Sequence, residues 1–200
     1  MAIIKRLNYN SPVIISFFII SFVVLLTGAS RFLTLRFTDF SDISLYLRLF
    51  LYPLAHADFN HFINNFLLIL VVGPNVEERY GSKTLLIMIL ATSAITGVIN
   101  VLFFTHTGLL GASGIAFMII ILSSYTNVKK GTIPITFILV LCLYIGREIY
   151  NAMTTDNNIS QLAHILGGVL GAVYCFIIPT KTHSYKKKMK FENTEPIDKV

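Results

Sequence analysis

Six long apolar runs constrain this chain more than any other feature. An α-helix rises about 1.5 Å per residue, so roughly 20 residues with their flanks cross a hydrocarbon core of about 30 Å. The composition agrees, because 54% of the residues are hydrophobic and only 13% are charged, where a soluble domain carries about 25% charge. The sequence therefore predicts an all-α membrane protein, a bundle of six transmembrane helices. The predicted spans are residues 13–26, 60–76, 84–104, 111–128, 133–149 and 161–179.

The basic residues are distributed unevenly among the segments between these spans. Twelve of the sixteen lysines and arginines lie in segments that share one side of the predicted bundle. By the positive-inside rule this side is cytoplasmic. The sequence thus predicts a multi-pass protein of the plasma membrane with both termini in the cytoplasm. The net charge of +6 is usual for such topology signals, so we expect the lipid bilayer, and no nucleic acid, as a partner.

The chain divides into three predicted parts. Residues 1–11 form a cytoplasmic segment, residues 12–179 form the bundle with a long outer loop at 29–60, and residues 180–200 form a lysine-rich cytoplasmic tail. Within the outer loop, Ser41 and Asp42 can cap a short helix, and Pro53 ends it. The small residues after the first span would also suit a signal-peptide cleavage site. An uncleaved first span is favoured because further spans follow.

Polar side chains recur near the outer ends of the second, fourth and sixth spans. His61 and Asn65 lie on one face of the second span, Ser113 begins the fourth, and His164 lies one turn into the sixth. Polar groups inside a membrane are costly and usually face the bundle interior. Because these three spans run in the same direction, the four residues are predicted to meet at a similar depth, near the outer surface.

The residue types at this predicted meeting point suit nucleophilic catalysis. A serine hydroxyl becomes a nucleophile when a nearby histidine takes its proton. His164 is the candidate base for Ser113, because Ala163, Gly167 and Gly171 place a small residue at every fourth position of the sixth span. Such a stripe allows two helices to approach closely. The sequence therefore predicts that the fourth and sixth spans bring Ser113 and His164 together.

Donors for an oxyanion can be identified in the same set. Gly111 and Gly114 flank Ser113, let other backbone approach closely and leave its amide free to donate. They also lower helix propensity at the start of a span, so helix formation alone does not explain them. With the side chains of His61 and Asn65, the Ser113 amide could stabilise a tetrahedral oxyanion.

Taken together, these motifs resemble the rhomboid family of intramembrane serine proteases in its basic six-span form. The resemblance covers about residues 40–178 and implies a catalytic dyad of Ser113 and His164 without an aspartate. It also implies an oxyanion hole made by His61, Asn65 and the Ser113 amide. Cleavage of single-span transmembrane substrates near the outer membrane face would follow, with no cofactor and no metal. The matching motifs are Gly-x-Ser-Gly at 111–114, His-x-x-x-Asn at 61–65 with His56 before it, Ala-His-x-x-Gly-x-x-x-Gly at 163–171, and Glu-x-Arg at 77–79 with Gly81 after it.

Two positions depart from the family pattern. Phe117 stands where the family commonly has a tyrosine packed on the catalytic histidine, so we expect the ring contact without the hydroxyl. Leu47 and Arg48 stand where the family often has Trp-Arg, and the chain contains no tryptophan. The resemblance therefore does not predict how the outer loop of this chain contacts lipid.

Other interpretations use the same residues. A glycine-flanked serine can serve helix packing, and one histidine in a span can form an interhelical hydrogen bond. A non-catalytic relative that binds membrane helices, or a transporter, is the alternative function. A transporter would be expected to show internal repeats, and a bundle that only binds has no use for a serine, a base and oxyanion donors together. Glu77 falls at the inner end, away from the histidines, where we interpret it as a structural pair with Arg79.

Overall fold

A computed structural model describes residues 9–125, 132–154 and 158–181 of the chain. The predicted segment 1–8 and most of the predicted tail, residues 182–200, lie outside the described residues. A 3₁₀ helix, Tyr52–Leu54, follows the third α-helix. The α-helices are α1 (Pro12–Leu26), α2 (Ser30–Leu33), α3 (Ile43–Leu51), α4 (Phe59–Tyr80), α5 (Ser82–Phe103), α6 (Ser113–Ser124), α7 (Ile135–Thr154) and α8 (Asn158–Ile177).

Six of these helices, α1 and α4 to α8, correspond to the six predicted spans. Within the described residues, α4 and α5 are each long and apolar enough to cross a membrane by themselves, and α1 and α6 are shorter apolar helices. The helical content and the helix order confirm the predicted all-α bundle. The short helices α2 and α3 belong to the loop between the first two spans.

Several helix boundaries differ from those predicted. α4 continues to Tyr80 rather than ending at 76, and α7 continues to Thr154 rather than 149. Hydropathy marks where apolar residues end, whereas backbone hydrogen bonds can carry a helix further into the polar interface. The predicted polar connection at 151–160 is correspondingly short, and its residues 155–157 lie outside the described part. α6 begins at Ser113 rather than 111.

Helix α6 is the centre of the bundle. The nine consecutive residues from Gly114 to Leu122 are all buried. A helix that is apolar on every side lies either in a protein core or in lipid, and here other helices cover it. It packs most extensively on α8 and next on α4. Ser113 therefore stands at the end of a helix that is almost wholly enclosed by the described part of the bundle.

The outer loop folds as its sequence predicts. Asp42 accepts a hydrogen bond from the Ser44 amide at 2.9 Å and caps α3, and Pro53 lies within the 3₁₀ helix that follows. Leu45 is buried, whereas Leu47 and Phe50 are exposed. Helix α3 therefore has one side packed on the protein and exposed apolar residues on another.

Glu77 has a different partner from the one predicted. Its carboxylate, almost fully buried, accepts hydrogen bonds at 3.0 Å from the backbone amides of Val13 and Ile14. Pro12 is the first residue of α1, and a helix leaves the amides of its first turn without intrahelical acceptors. No ion pair to Arg79 occurs among the residues that the structure describes, so the predicted structural pair is wrong. Glu77 instead fixes the start of α1 against α4.

Replacement of Glu77 by alanine is expected to lower the free energy of unfolding by about 2 kcal/mol, because two buried N–H groups lose their acceptor. For a chain of this size this corresponds to a melting temperature about 4–8 °C lower, measurable in detergent micelles. The exposed neighbour Glu78, replaced by alanine, is the matched control and should leave the melting temperature unchanged. Equal melting temperatures for the two variants would contradict the role of Glu77.

Candidate active site

The first two turns of α4 supply one side of the predicted site. Asp58 caps the helix by accepting a hydrogen bond from the His61 amide at 2.8 Å. Asn65 lies one turn further along and is buried. Gly111 lies directly against both side chains, since a β-carbon built on it would stand 2.7 Å from His61 Nε2 and 3.6 Å from Asn65 Nδ2. The structure thus brings His61 and Asn65 to the loop that leads into Ser113.

The backbone of this loop requires glycine and is held in place by the outer loop. Gly111 has a φ of +103°, a conformation that residues with a β-carbon rarely adopt. Its amide donates to the Tyr52 carbonyl at 3.2 Å, and Leu35 and Leu109 exchange two backbone hydrogen bonds of 2.9 and 2.8 Å. The outer loop therefore holds the approach to Ser113 through three hydrogen bonds. The sequence did not predict this contact.

The other side of the site is formed by α8. The ring of His164 stacks on the ring of Phe117, with centroids 4.3 Å apart and planes within 7°. Phe117 lies four residues after Ser113, on the same face of α6. Its ring also meets the edge of Tyr144 of α7 at 5.2 Å. Ser113 and His164 consequently lie on the facing sides of α6 and α8.

Small residues allow α6 and α8 to touch backbone to backbone. A β-carbon built on Gly114 would lie 3.0 Å from the Ala163 carbonyl oxygen, and one on Gly167 would lie 2.9 Å from the Gly114 Cα. Further along, a β-carbon on Gly171 would lie 2.8 Å from the Met118 carbonyl oxygen. The stripe predicted from the sequence therefore sets the distance between the two helices.

His56 supports the site from behind His61. Its side chain is 1% exposed, and its ring lies edge-on to the His61 ring with centroids 5.2 Å apart. The His56 amide donates to the Ser30 hydroxyl at 3.2 Å. Burial, and secondarily repulsion from His61, lowers the pKa of His56 to about 4. The ring is therefore neutral near pH 7, and it packs in uncharged form against the start of α4.

Helix α5 contributes a buried polar stripe, which was not among the predicted site residues. Thr92, Thr96 and Asn100 recur at four-residue intervals and are all buried. The Thr92 hydroxyl lies within hydrogen-bond distance of the Met118 sulfur, at 3.1 Å, and of the Tyr174 hydroxyl, at 3.4 Å. The regular spacing is the signal that could have identified a face of α5 directed at the bundle interior.

No group of three histidine, cysteine, aspartate or glutamate side chains in the described part of the chain could hold a metal ion. A family model described as the Rhomboid domain matches residues 44–181, more than half of the chain. The match begins in α3, ends just after α8 and includes every residue of the predicted site. The comparison with curated proteins gave no match.

Proposed function

Because the chain belongs to the rhomboid family, we propose that it is an intramembrane serine endopeptidase with Ser113 as nucleophile and His164 as general base. Rhomboid proteins are generally intramembrane serine proteases that act on transmembrane substrates in the bilayer. The main support for this dyad is that the His164 ring stacks on the ring of Phe117, and Phe117 lies one turn after Ser113 in α6. The close contact of Gly114 with Ala163 supports it, because these residues adjoin the two members of the dyad.

The reaction follows from the dyad in two steps. In the first, His164 takes the proton of the Ser113 hydroxyl as its oxygen bonds to the scissile carbonyl carbon, and then gives that proton to the departing amine. In the second, a water molecule attacks the acyl-enzyme by the same proton transfers and releases Ser113. A carboxylate usually orients the histidine in such systems. In the proposed dyad, the flat contact with Phe117 restricts the plane of the His164 ring instead.

The proposed oxyanion hole lies where α4 meets the start of α6. The amide of Ser113 belongs to the first turn of α6, so it has no acceptor within the helix and carries the partial positive charge of the helix end. The contact of Gly111 with His61 and Asn65 supports the placing of both side chains beside this amide. Such preorganised donors stabilise developing negative charge in an enclosed site.

The substrates proposed are single transmembrane helices cut near the outer surface of the plasma membrane, with both termini of the protease in the cytoplasm. The positive-inside count supports this orientation. A helix hides its carbonyls within its own hydrogen bonds, so the segment around the cut must unwind before Ser113 reaches it. We therefore expect cleavage where glycine or proline weakens the substrate helix.

The test is a reaction of the purified, reconstituted protein with a fluorophosphonate and with a single-span model substrate. We expect covalent labelling at Ser113, located by mass spectrometry, and cleavage of the substrate within or beside its membrane segment. Intact substrate and an unlabelled Ser113 in folded protein would reject the proposal. The chain would then be a non-catalytic member of the family that binds membrane helices.

Replacement of Asn65 or His61 by alanine is expected to lower kcat by about 10²–10³, the usual effect of losing one oxyanion donor. Slower fluorophosphonate labelling should persist, because neither side chain is the nucleophile. Asn75, an exposed residue on the same helix, replaced by alanine is the matched control. Full activity in both variants would show that α4 does not donate to the oxyanion.

Replacement of Phe117 by tyrosine is expected to leave the rate almost unchanged, because the ring that stacks on His164 is kept. Replacement by alanine removes the stacking and should lower kcat by about tenfold with little change in KM. A neutral alanine variant would show that Phe117 does not position the base.

A further inference from the structure

An apolar cavity of about 410 Å³ lies between α1, α5 and the end of the outer loop. Its walls include Phe17 of α1, Ile89 of α5 and Leu54 of the 3₁₀ helix. Ile20 and Leu86, which also line it, are about half exposed. The cavity therefore opens sideways on the perimeter of the bundle, the surface that contacts lipid in a membrane.

The depth of the cavity matches one leaflet of the bilayer. Its lining on α5 runs from Ser82 to Leu90 and its lining on α1 from Pro12 to Ile20, a rise of about 12 Å along each helix. Half of a hydrocarbon core is about 15 Å. Both helices start at the inner surface in the proposed topology. The cavity thus extends from that surface almost to the bilayer midplane, where only acyl chains are available to fill it.

The polar residues of the cavity lining are Ser16 of α1 and Ser82 at the inner end of α5. Lys83 is exposed and shares the face of α5 on which Leu86 and Leu90 line the wall, one turn nearer the surface. The Tyr9 hydroxyl is hydrogen-bonded to the Ser16 hydroxyl at 2.9 Å, and Ser16 belongs to the lining. An ammonium group and hydroxyls below an apolar channel are complementary to a phosphate carrying an acyl chain.

We propose that this cavity binds one acyl chain of an anionic phospholipid of the inner leaflet, with the lipid phosphate at Lys83. The upper wall of the cavity includes Leu51 and Pro53, on either side of Tyr52, whose carbonyl holds the Gly111 amide. A bound chain would pack against the segment that fixes the approach to Ser113. Bound lipid should therefore also raise the cleavage rate, a consequence that rests on the proposed function.

The binding test uses the absence of tryptophan from the chain. The fluorescence of a single tryptophan introduced as Leu90→Trp reports which lipid occupies the cavity. Leu143→Trp, at an exposed position of α7, reports ordinary contact with the surrounding lipid. Each variant is reconstituted in phosphatidylcholine vesicles containing brominated phosphatidylglycerol or brominated phosphatidylcholine. At Leu90→Trp we expect the anionic lipid to quench with an apparent affinity about fivefold higher. At Leu143→Trp we expect no difference between the two lipids.

The headgroup contact is tested in the same background. Lys83→Gln should remove the preference for phosphatidylglycerol, whereas Lys83→Arg should keep it. Ile20→Trp is a second reporter on the opposite wall if Leu90→Trp does not fold. Equal quenching by both lipids at the cavity, or a preference unaffected by Lys83→Gln, would overturn the proposal. Quenching does not depend on catalysis, so an inactive protein that still selects the anionic lipid would reject the proposed protease and retain the lipid site.

Discussion

Replacement of Ser113 or His164 by alanine is expected to abolish cleavage of a single-span substrate, with a fall in kcat of about 10⁴–10⁶-fold. In the proposed mechanism, the serine variant loses the atom that bonds to the substrate, and the histidine variant loses the base that makes this atom reactive. Each single variant should be about as inactive as the double variant, because the two residues act as one unit. The measurement is single-turnover cleavage in reconstituted vesicles, with fluorophosphonate labelling in parallel.

The loss of activity has to be separated from unfolding. Ala112, not Ser113, occupies the capping position of α6, so the serine variant should keep the melting temperature of the natural protein. Ser123 is a matched control in the same helix, because its hydroxyl only bonds to the Ile120 carbonyl at 2.8 Å. Ser123→Ala should retain activity. Wild-type turnover in either dyad variant would show that the dyad is wrongly assigned.

The bundle was predictable because the membrane restricts what each segment can do. Every backbone polar group within the hydrocarbon must be satisfied internally, so a long apolar run has to be a helix. The small residues at 163, 167 and 171 then identified the face of α8 that meets α6. Helix ends were less predictable, as the extension of α7 to Thr154 shows, because hydropathy does not report where backbone hydrogen bonding stops.

The parts of the site that escaped prediction depend on the backbone. Tyr52 holds Gly111, and Leu35 pairs with Leu109, through amides and carbonyls that every residue type offers. The acceptor role of Glu77 was hidden for the same reason, since its donors are amides of α1. Side-chain chemistry in the sequence therefore predicted a set of candidate residues. The contacts that hold those residues in position left no comparable signal.

Replacement of Gly167 by alanine is expected to damage both stability and activity more than any other single-methyl change in α8. The new β-carbon would lie 2.9 Å from the Cα of Gly114 and closer still to its carbonyl group. Backbone on both sides leaves no flexible group to move, so α6 and α8 must separate. Overpacking of this kind costs about 1–3 kcal/mol, and displacement of a catalytic group by about 1 Å costs about 10²-fold in rate.

Gly168 provides the matched control for this change, one position along the same helix. A β-carbon there would meet the Ile145 side-chain end at 2.9 Å, which can rotate away because it is the tip of a flexible chain. Gly168→Ala should therefore retain near-normal melting and cleavage, while Gly167→Ala loses both. Slow fluorophosphonate labelling of Ser113 in Gly167→Ala would locate the defect in the spacing of the dyad. If both alanine variants behaved alike, the backbone contact between α6 and α8 would not be what sets that spacing.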